Sequence, residues 1–145
     1  MFSVKVGVDT EGQPVTGTDV YIQYDQASVK PAGVEHGTYF PFVSDRQEDG
    51  KVSVSGVVLD PKETKNTKGA VATVKFTSLN GSSGSLSFYC DTKKSNTSKI
   101  VKSDVNATNL IDCSKNTAMS YQGSGSGGGV LGAIAQFFAG LFGKK

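Results

Sequence analysis

The sequence predicts an all-β fold: an antiparallel β-sandwich of jelly-roll type with about nine strands, then a Gly/Ser linker and a short C-terminal apolar helix. Three observations carry this expectation. Through the first 122 residues, short runs of Val, Ile, Thr, Tyr and Phe are separated by Gly, Asn, Asp, Ser and Pro. Several of these runs alternate with a period of two. No helical pattern of ten or more residues occurs before Gly123. A closed barrel is the structural alternative that the same pattern allows.

Strands are expected over residues 2–8, 19–24, 29–35, 39–43, 51–59, 70–78, 85–90, 99–101 and 118–121. In the first, Val4, Val6 and Val8 share one face, while Ser3, Lys5 and Gly7 take the other. In the second, Val20, Ile22 and Tyr24 oppose Tyr21, which is therefore expected to point outward. In the sixth, Val71, Thr73 and Lys75 alternate with Ala72, Val74 and Phe76. Turn signals stand at Glu11-Gly12, Asp49-Gly50, Asn80-Gly81 and Ser83-Gly84. The charged run Ser44-Asp-Arg-Gln-Glu-Asp-Gly50 reads as a solvated loop tip.

Residues 1–122 form one compositional block, the sandwich domain. Residues 123–129 are a flexible linker of Gly and Ser, and residues 130–145 are the apolar segment. On a helix, Val130, Leu131, Ile134, Phe137, Phe138, Leu141 and Phe142 fall on one stripe, opposite the small residues Ala135, Ala139 and Gly143. About fourteen helical residues span roughly 21 Å, short of a hydrocarbon core of roughly 30 Å. The helix is therefore expected to lie on a membrane surface or to pair with another helix, and not to complete the sandwich core. An added, non-native extension is the other reading.

With 145 residues, 37% of them apolar, the chain is long enough to bury a core of its own. The basic excess of 15 Lys and Arg over 13 Asp and Glu is Lys144 and Lys145, so the sandwich is formally neutral. Two lysines at the end of an apolar segment favour an anionic membrane surface. This balance excludes a strong electrostatic case for nucleic acid. One His and two Cys nearly exclude a zinc site, and no metal or cofactor is expected.

Catalytic constellations are mostly absent, so no enzyme is expected. His36 is the single imidazole and reads as a solvated loop histidine. Asp45, Glu48 and Asp49 cluster in one loop with no sign of a cleft. Asp104-Val-Asn106-Ala-Thr-Asn109 begins like a calcium loop but lacks the third ligand, the glycine and the final glutamate. Sequons occur at Asn80, Asn96 and Asn106, as chance allows in a chain so rich in Ser and Thr. Cys90 and Cys113 fit a single disulfide on an exported domain, with two free thiols as the other reading. No signal peptide is visible, because Met1-Phe2-Ser3-Val4-Lys5 runs straight into the alternating pattern. Either an export signal has been removed or the chain is cytoplasmic. What remains is binding by a β surface. Tyr21, Tyr39, Phe40, Phe42 and Tyr89 are the aromatics that could project outward, although core packing is expected for most.

Four segments, taken in order, resemble cohesin domains, the dockerin-binding modules of cellulosomes. "PVTGTDVYIQYD" at 14–25 resembles an early strand ending in Tyr-Asp. "GKVSVSGVVLD" at 50–60 resembles the middle strand. "KGAVATVKFTS" at 68–78 resembles a Gly-x-x-Ala-Thr-φ-x-Phe strand, and "GSSGSLSF" at 81–88 the Gly-rich turn and strand after it. The likeness spans about residues 2–121 and is greatest to divergent surface-protein members. It implies a jelly-roll sandwich that recognises a dockerin-like protein partner through one sheet face, as an extracellular or cell-surface module. By matching positions it implies Asp19, Tyr21 and Gln23 as binding residues, with positions on 51–59 and 70–78 continuing the face. A carbohydrate-binding module, taking a polysaccharide on the same sandwich, is the alternative.

Overall fold

The computed structural model describes residues 1–81, 83–115, 119–121 and 134–138, with backbone alone for 115, 119–121 and 134–138. Eight strands lie within residues 2–102: β1 (Phe2–Asp9), β2 (Val15–Gln23), β3 (Val29–His36), β4 (Phe42–Glu48), β5 (Lys51–Val57), β6 (Lys68–Ser78), β7 (Gly84–Phe88) and β8 (Lys99–Lys102). A 3-10 turn follows at Cys113–Lys115, then the short strands β9 (Met119–Tyr121) and β10 (Ile134–Phe138). Two sheets face each other. One has the order β10-β1-β6-β3; the other runs β4-β5-β2-β7-β9, with β8 also paired to β2. The result is the expected β-sandwich, antiparallel at every described pairing except β1 with β10.

The period of two builds the core. Val4, Val6 and Val8 of β1 are fully buried, as are Val20 and Ile22 of β2, Val52 and Val54 of β5, and Val74 and Phe76 of β6. Valine and isoleucine suit this role because their branched Cβ packs well on a pleated surface. Each such side chain contributes roughly 1.5–3 kcal/mol when removed from water. The Phe2 and Phe76 rings stack with centroids 5.6 Å apart, and Tyr24 meets Phe76 edge-on at 5.8 Å.

Three expectations are corrected. The fourth strand begins at Phe42 instead of Tyr39 and runs through the charged residues to Glu48, so the loop tip shrinks to the turn at Asp49-Gly50. Pro41 has no N–H to give to a ladder, which delays the strand until after it. The charges of β4 stand on an outer edge of the sheet, where they discourage pairing with another chain. Ahead of it, Phe40 is fully buried, its ring edge-on to Tyr39 at 5.1 Å. That burial requires Gly56, where an added Cβ would stand 2.5 Å from the Phe40 ring.

The second correction concerns the C-terminal helix. Ile134–Phe138 is a strand, paired in parallel with β1 from Ser3↔Ile134 to Gly7↔Phe138. A short apolar run satisfies helix and strand templates alike. Here the free edge of β1 decides, because its unpaired N–H and C=O groups are satisfied by a second backbone. Ile134, Phe137 and Phe138 therefore belong to a strand that extends the sandwich. Leu141, Phe142 and the linker 123–129 lie outside the described residues.

The third correction is to the implied face. The segment 70–78 lies in β6, which stands in the β1 sheet, whereas 51–57 stands beside β2 in the other.

The packing of Phe40 over Gly56 is testable. Gly56→Ala should lower the thermal midpoint by the equivalent of about 1–3 kcal/mol, the usual cost of overpacking, and change the near-ultraviolet circular dichroism. An unchanged midpoint would show that the Phe40 ring does not lie there.

Candidate functional site

β2 lies at the centre of its sheet, and the same alternation that buries Val20 and Ile22 turns Asp19, Tyr21 and Gln23 to the outer surface. The sequence therefore placed these three on one face correctly. Register extends the face sideways. Asp19 stands opposite Ser55, Tyr21 opposite Ser53 and Gln23 opposite Lys51 on β5. Ser55, Ser53 and Lys51 stand in turn opposite Ser44, Arg46 and Glu48 on β4. On the other flank, Thr18 and Asp19 pair with Ile100 and Lys99 of β8, and Ile22 and Gln23 with Phe88 and Ser87 of β7.

Hydrogen bonds fix this strip. Ser55 Oγ donates to Asp19 Oδ1 at 2.7 Å. Arg46 pairs with Glu48 along β4. Partial burial, with the Asp19 carboxylate next, pushes the Tyr21 phenol above its usual pKa, so it stays neutral and can donate a hydrogen bond. Lys51 Nζ sits 4.1 Å above the Tyr89 ring and covers one of its faces. Asp19, Tyr21, Ser44, Arg46, Ser53 and Asn96 line one polar depression.

Next to it the surface turns apolar. Among the described residues, the large apolar side chains most open to solvent, apart from Met1, are Phe42 (52%), Val57 (40%), Leu59 (73%) and Val105 (100%). Topology gathers them. Phe42 pairs with Val57, Val57 with Gly17, and Gly17 with Val101. Leu59 is two residues past Val57, and Val105 is three past the end of β8. All therefore stand at one end of the β4-β5-β2-β8 sheet. Phe42, Gly17, Val57 and Val101 line a second depression, which shares Asp19, Ser44 and Ser55 with the polar one.

This apolar end escaped the sequence reading, which singled out only Phe42. The signal was present in β5, where Lys51, Ser53 and Ser55 set a polar phase that Val57 breaks. Leu59 and Val105 sit in loops, where no period marks them.

His36 ends β3, and its Nε2 lies 2.7 Å from Asp45 Oδ1 on β4, a tie between the edges of the two sheets that its loop-like surroundings did not suggest. Asp104 accepts hydrogen bonds from Thr108 N–H at 2.9 Å and Thr108 Oγ1 at 2.7 Å, so it closes a turn. These bonds hold its carboxyl below the usual carboxylate range. Among the described residues, no group of three His, Cys, Asp or Glu is placed to hold a metal ion. Cys90 and Cys113 are joined in a disulfide, Cα to Cα 5.5 Å.

Comparisons with known proteins bear on this architecture. The cohesin domain family model matches residues 1–120. Among curated proteins nothing matches. Solved structures do. The chain superposes on a type II cohesin dyad from the adaptor ScaA scaffoldin of Acetivibrio cellulolyticus with a TM-score of 0.57 at 15% identity, covering 75% of this chain and 44% of that one. This chain thus spans less than half of that two-module structure. A cohesin module from a Clostridium perfringens family 33 glycoside hydrolase gives 0.54 at 12% identity, covering 86% of this chain and 76% of that one. A type I cohesin–dockerin complex from Clostridium thermocellum gives 0.53 at 9% identity, covering 94% of each chain. At such identities the structures attest a shared fold, and the match over residues 1–120 attests the family. The chain belongs to the cohesin domain family.

Proposed function

We propose that this protein is a non-catalytic recognition module that takes a dockerin-like protein partner on the outer face of β4-β5-β2-β8. The observation that carries this reading is the junction of the two depressions. The exposed apolar side chains Phe42 and Val57 line a depression that adjoins a polar strip of Asp19, Tyr21, Ser55 and Arg46, with the exposed Leu59 and Val105 close in sequence to the same end of the sheet. Protein interfaces combine such a desolvating centre with hydrogen-bonding groups around it. Family membership supports the choice of partner, since one of the similar structures is itself a cohesin–dockerin complex. Asp19, Tyr21 and Gln23 would then act together with β4 and β5. The Lys51 ammonium over Tyr89 leaves less flat ring surface for a sugar to stack on, which weighs against the polysaccharide alternative. A disulfide suits an oxidising compartment, so we place the working module outside the cell or at its surface.

Titration calorimetry against a panel of calcium-loaded dockerin modules tests the reading. At least one should bind, and Phe42→Ala should weaken that complex by about tenfold or more, as expected for an aromatic at the centre of an interface. Asp19→Ala should weaken it by a similar factor, because it leaves Ser55 and the partner's polar group unpaired. Both variants should keep the wild-type fold by circular dichroism. Binding that is indifferent to both substitutions would remove this face from consideration, and a panel without a binder would remove the dockerin partner.

The neutral phenol of Tyr21 supplies a pH test. Its folded pKa is raised, so its contribution to stability is complete below the unfolded value near 10 and is lost as pH rises through the folded value. Unfolding midpoints measured from pH 9 to 12 should fall less steeply for Tyr21→Phe than for wild type. Parallel curves would place the Tyr21 ring in open water.

A further inference from the structure

We propose that the Cys90–Cys113 disulfide positions one flank of the candidate face: closed, it holds β8 beside β2, and reduced to two thiols, it lets β8 open while the rest of the sandwich stays folded. Where binding is concerned the inference rests on the recognition reading, but the behaviour of β8 does not.

β8 is only four residues long, and its ladder with β2 covers Val15 to Asp19. Its other side is covered by the segment leading into Cys113. Asn109 Oδ1 accepts the N–H of Ile100 at 3.0 Å and that of Ile111 at 3.1 Å. Leu110 N–H donates to the Ile100 carbonyl at 2.7 Å, and Lys102 N–H to the Thr108 carbonyl at 2.8 Å. Two residues beyond Ile111 the chain is fixed through Cys113 to Cys90, just past the end of β7. The bond thus closes an excursion of 23 positions with β8 inside it.

The mouth of this excursion is fastened directly to the central strand. Tyr89 N–H donates to the Tyr21 carbonyl at 2.7 Å, and the Tyr89 carbonyl accepts Ser98 N–H at 3.0 Å. Ser98 Oγ accepts the N–H of Tyr21 at 2.9 Å. Ser98 and its neighbour Thr97 are buried, and Thr97 Oγ1 donates to the Tyr89 carbonyl while accepting the N–H of Asp91. Asn96 of the polar depression and Val101 of the apolar one are both carried on this excursion. The ladders joining β1 to β6, β6 to β3, β2 to β5 and β5 to β4 use no residue of it. A cross-link restricts the open ensemble of the excursion it closes, by an amount that grows slowly with the excursion's length. Because those ladders lie outside it, loss of the bond acts on local opening first.

In reduction by a dithiol, one reagent thiolate attacks a disulfide sulfur and expels the other cysteine as thiolate. The second reagent thiolate then attacks the reagent sulfur of the mixed disulfide and expels the remaining cysteine. The dithiol is thereby oxidised to a cyclic disulfide, and its two protons end on the two protein thiols.

Amide hydrogen exchange of the full chain, oxidised and then reduced by dithiothreitol, tests the proposal, with the C90S/C113S double variant giving the same comparison without reagent. Exchange over residues 97–102 and 109–111 should accelerate by about tenfold or more, while β1, β5 and β6 keep their protection. Reoxidation of the reduced chain should restore the original rates. Unchanged exchange in β8, or equal acceleration in every strand, would overturn it. A dockerin that binds the oxidised chain should dissociate about threefold faster or more after reduction, as lost contacts act mainly on dissociation. Equal dissociation rates would remove the link between clasp and face. A panel without a binder would defeat the recognition reading and leave the exchange rates to decide this one.

Discussion

The two-residue alternation of β2 constrains nearly everything else in this molecule. Val20 and Ile22 must enter the core, where they are fully buried among the valines of β1, β5 and β6. Once they do, Asp19, Tyr21 and Gln23 have only the outer surface left, because a slip of one residue would exchange the two sets and bury a carboxylate. β2 pairs with β5 on one side and with β7 and β8 on the other, so its phase is passed to each neighbour through register. The composition of the candidate face follows from that one choice.

Within this frame the apolar end of the face is the feature that core formation does not require. Val57 occupies an outward position of β5, and Phe42 pairs with it from an edge strand. Leu59 and Val105 add to the same end from loops. Water contact with these apolar side chains costs stability that inward packing of the same residues would have supplied. The charged remainder of β4 has the opposite effect, since it keeps an open sheet edge from pairing indiscriminately. One sheet thus carries a patch suited to association and an edge that discourages the wrong kind.

Much of this was legible in the residues. The clean alternations of β1 and β2 show which side chains face inward, and the disulfide is one of the two states that the pair of cysteines allowed. The errors have physical sources. Tyr39 and Phe40 look like strand residues, but they fill the space above Gly69 and Gly56, contacts that are remote in sequence. The run from Ser44 to Glu48 looks like a loop because a solvated edge strand needs no buried partner to alternate with. The segment Ile134–Phe138 meets helical spacing, yet the free edge of β1, more than a hundred residues earlier, makes it a strand. His36 meets Asp45 only because two sheets close on each other. Pro41 was a local signal for the late start of β4. Long-range contacts decided the packing of Tyr39 and Phe40, the strand at Ile134–Phe138 and the meeting of His36 with Asp45.

Backbone amide chemical-shift mapping is the most direct test of the central claim that recognition belongs to the sheet face set by β2. A dockerin that binds should be titrated into the isotopically labelled chain. The largest changes should fall along β4, β5, β2 and β8, centred on Phe42, Val57 and Asp19. Changes centred instead on the outer face of the opposite sheet, around Lys5, Thr73 and Lys75, would contradict it.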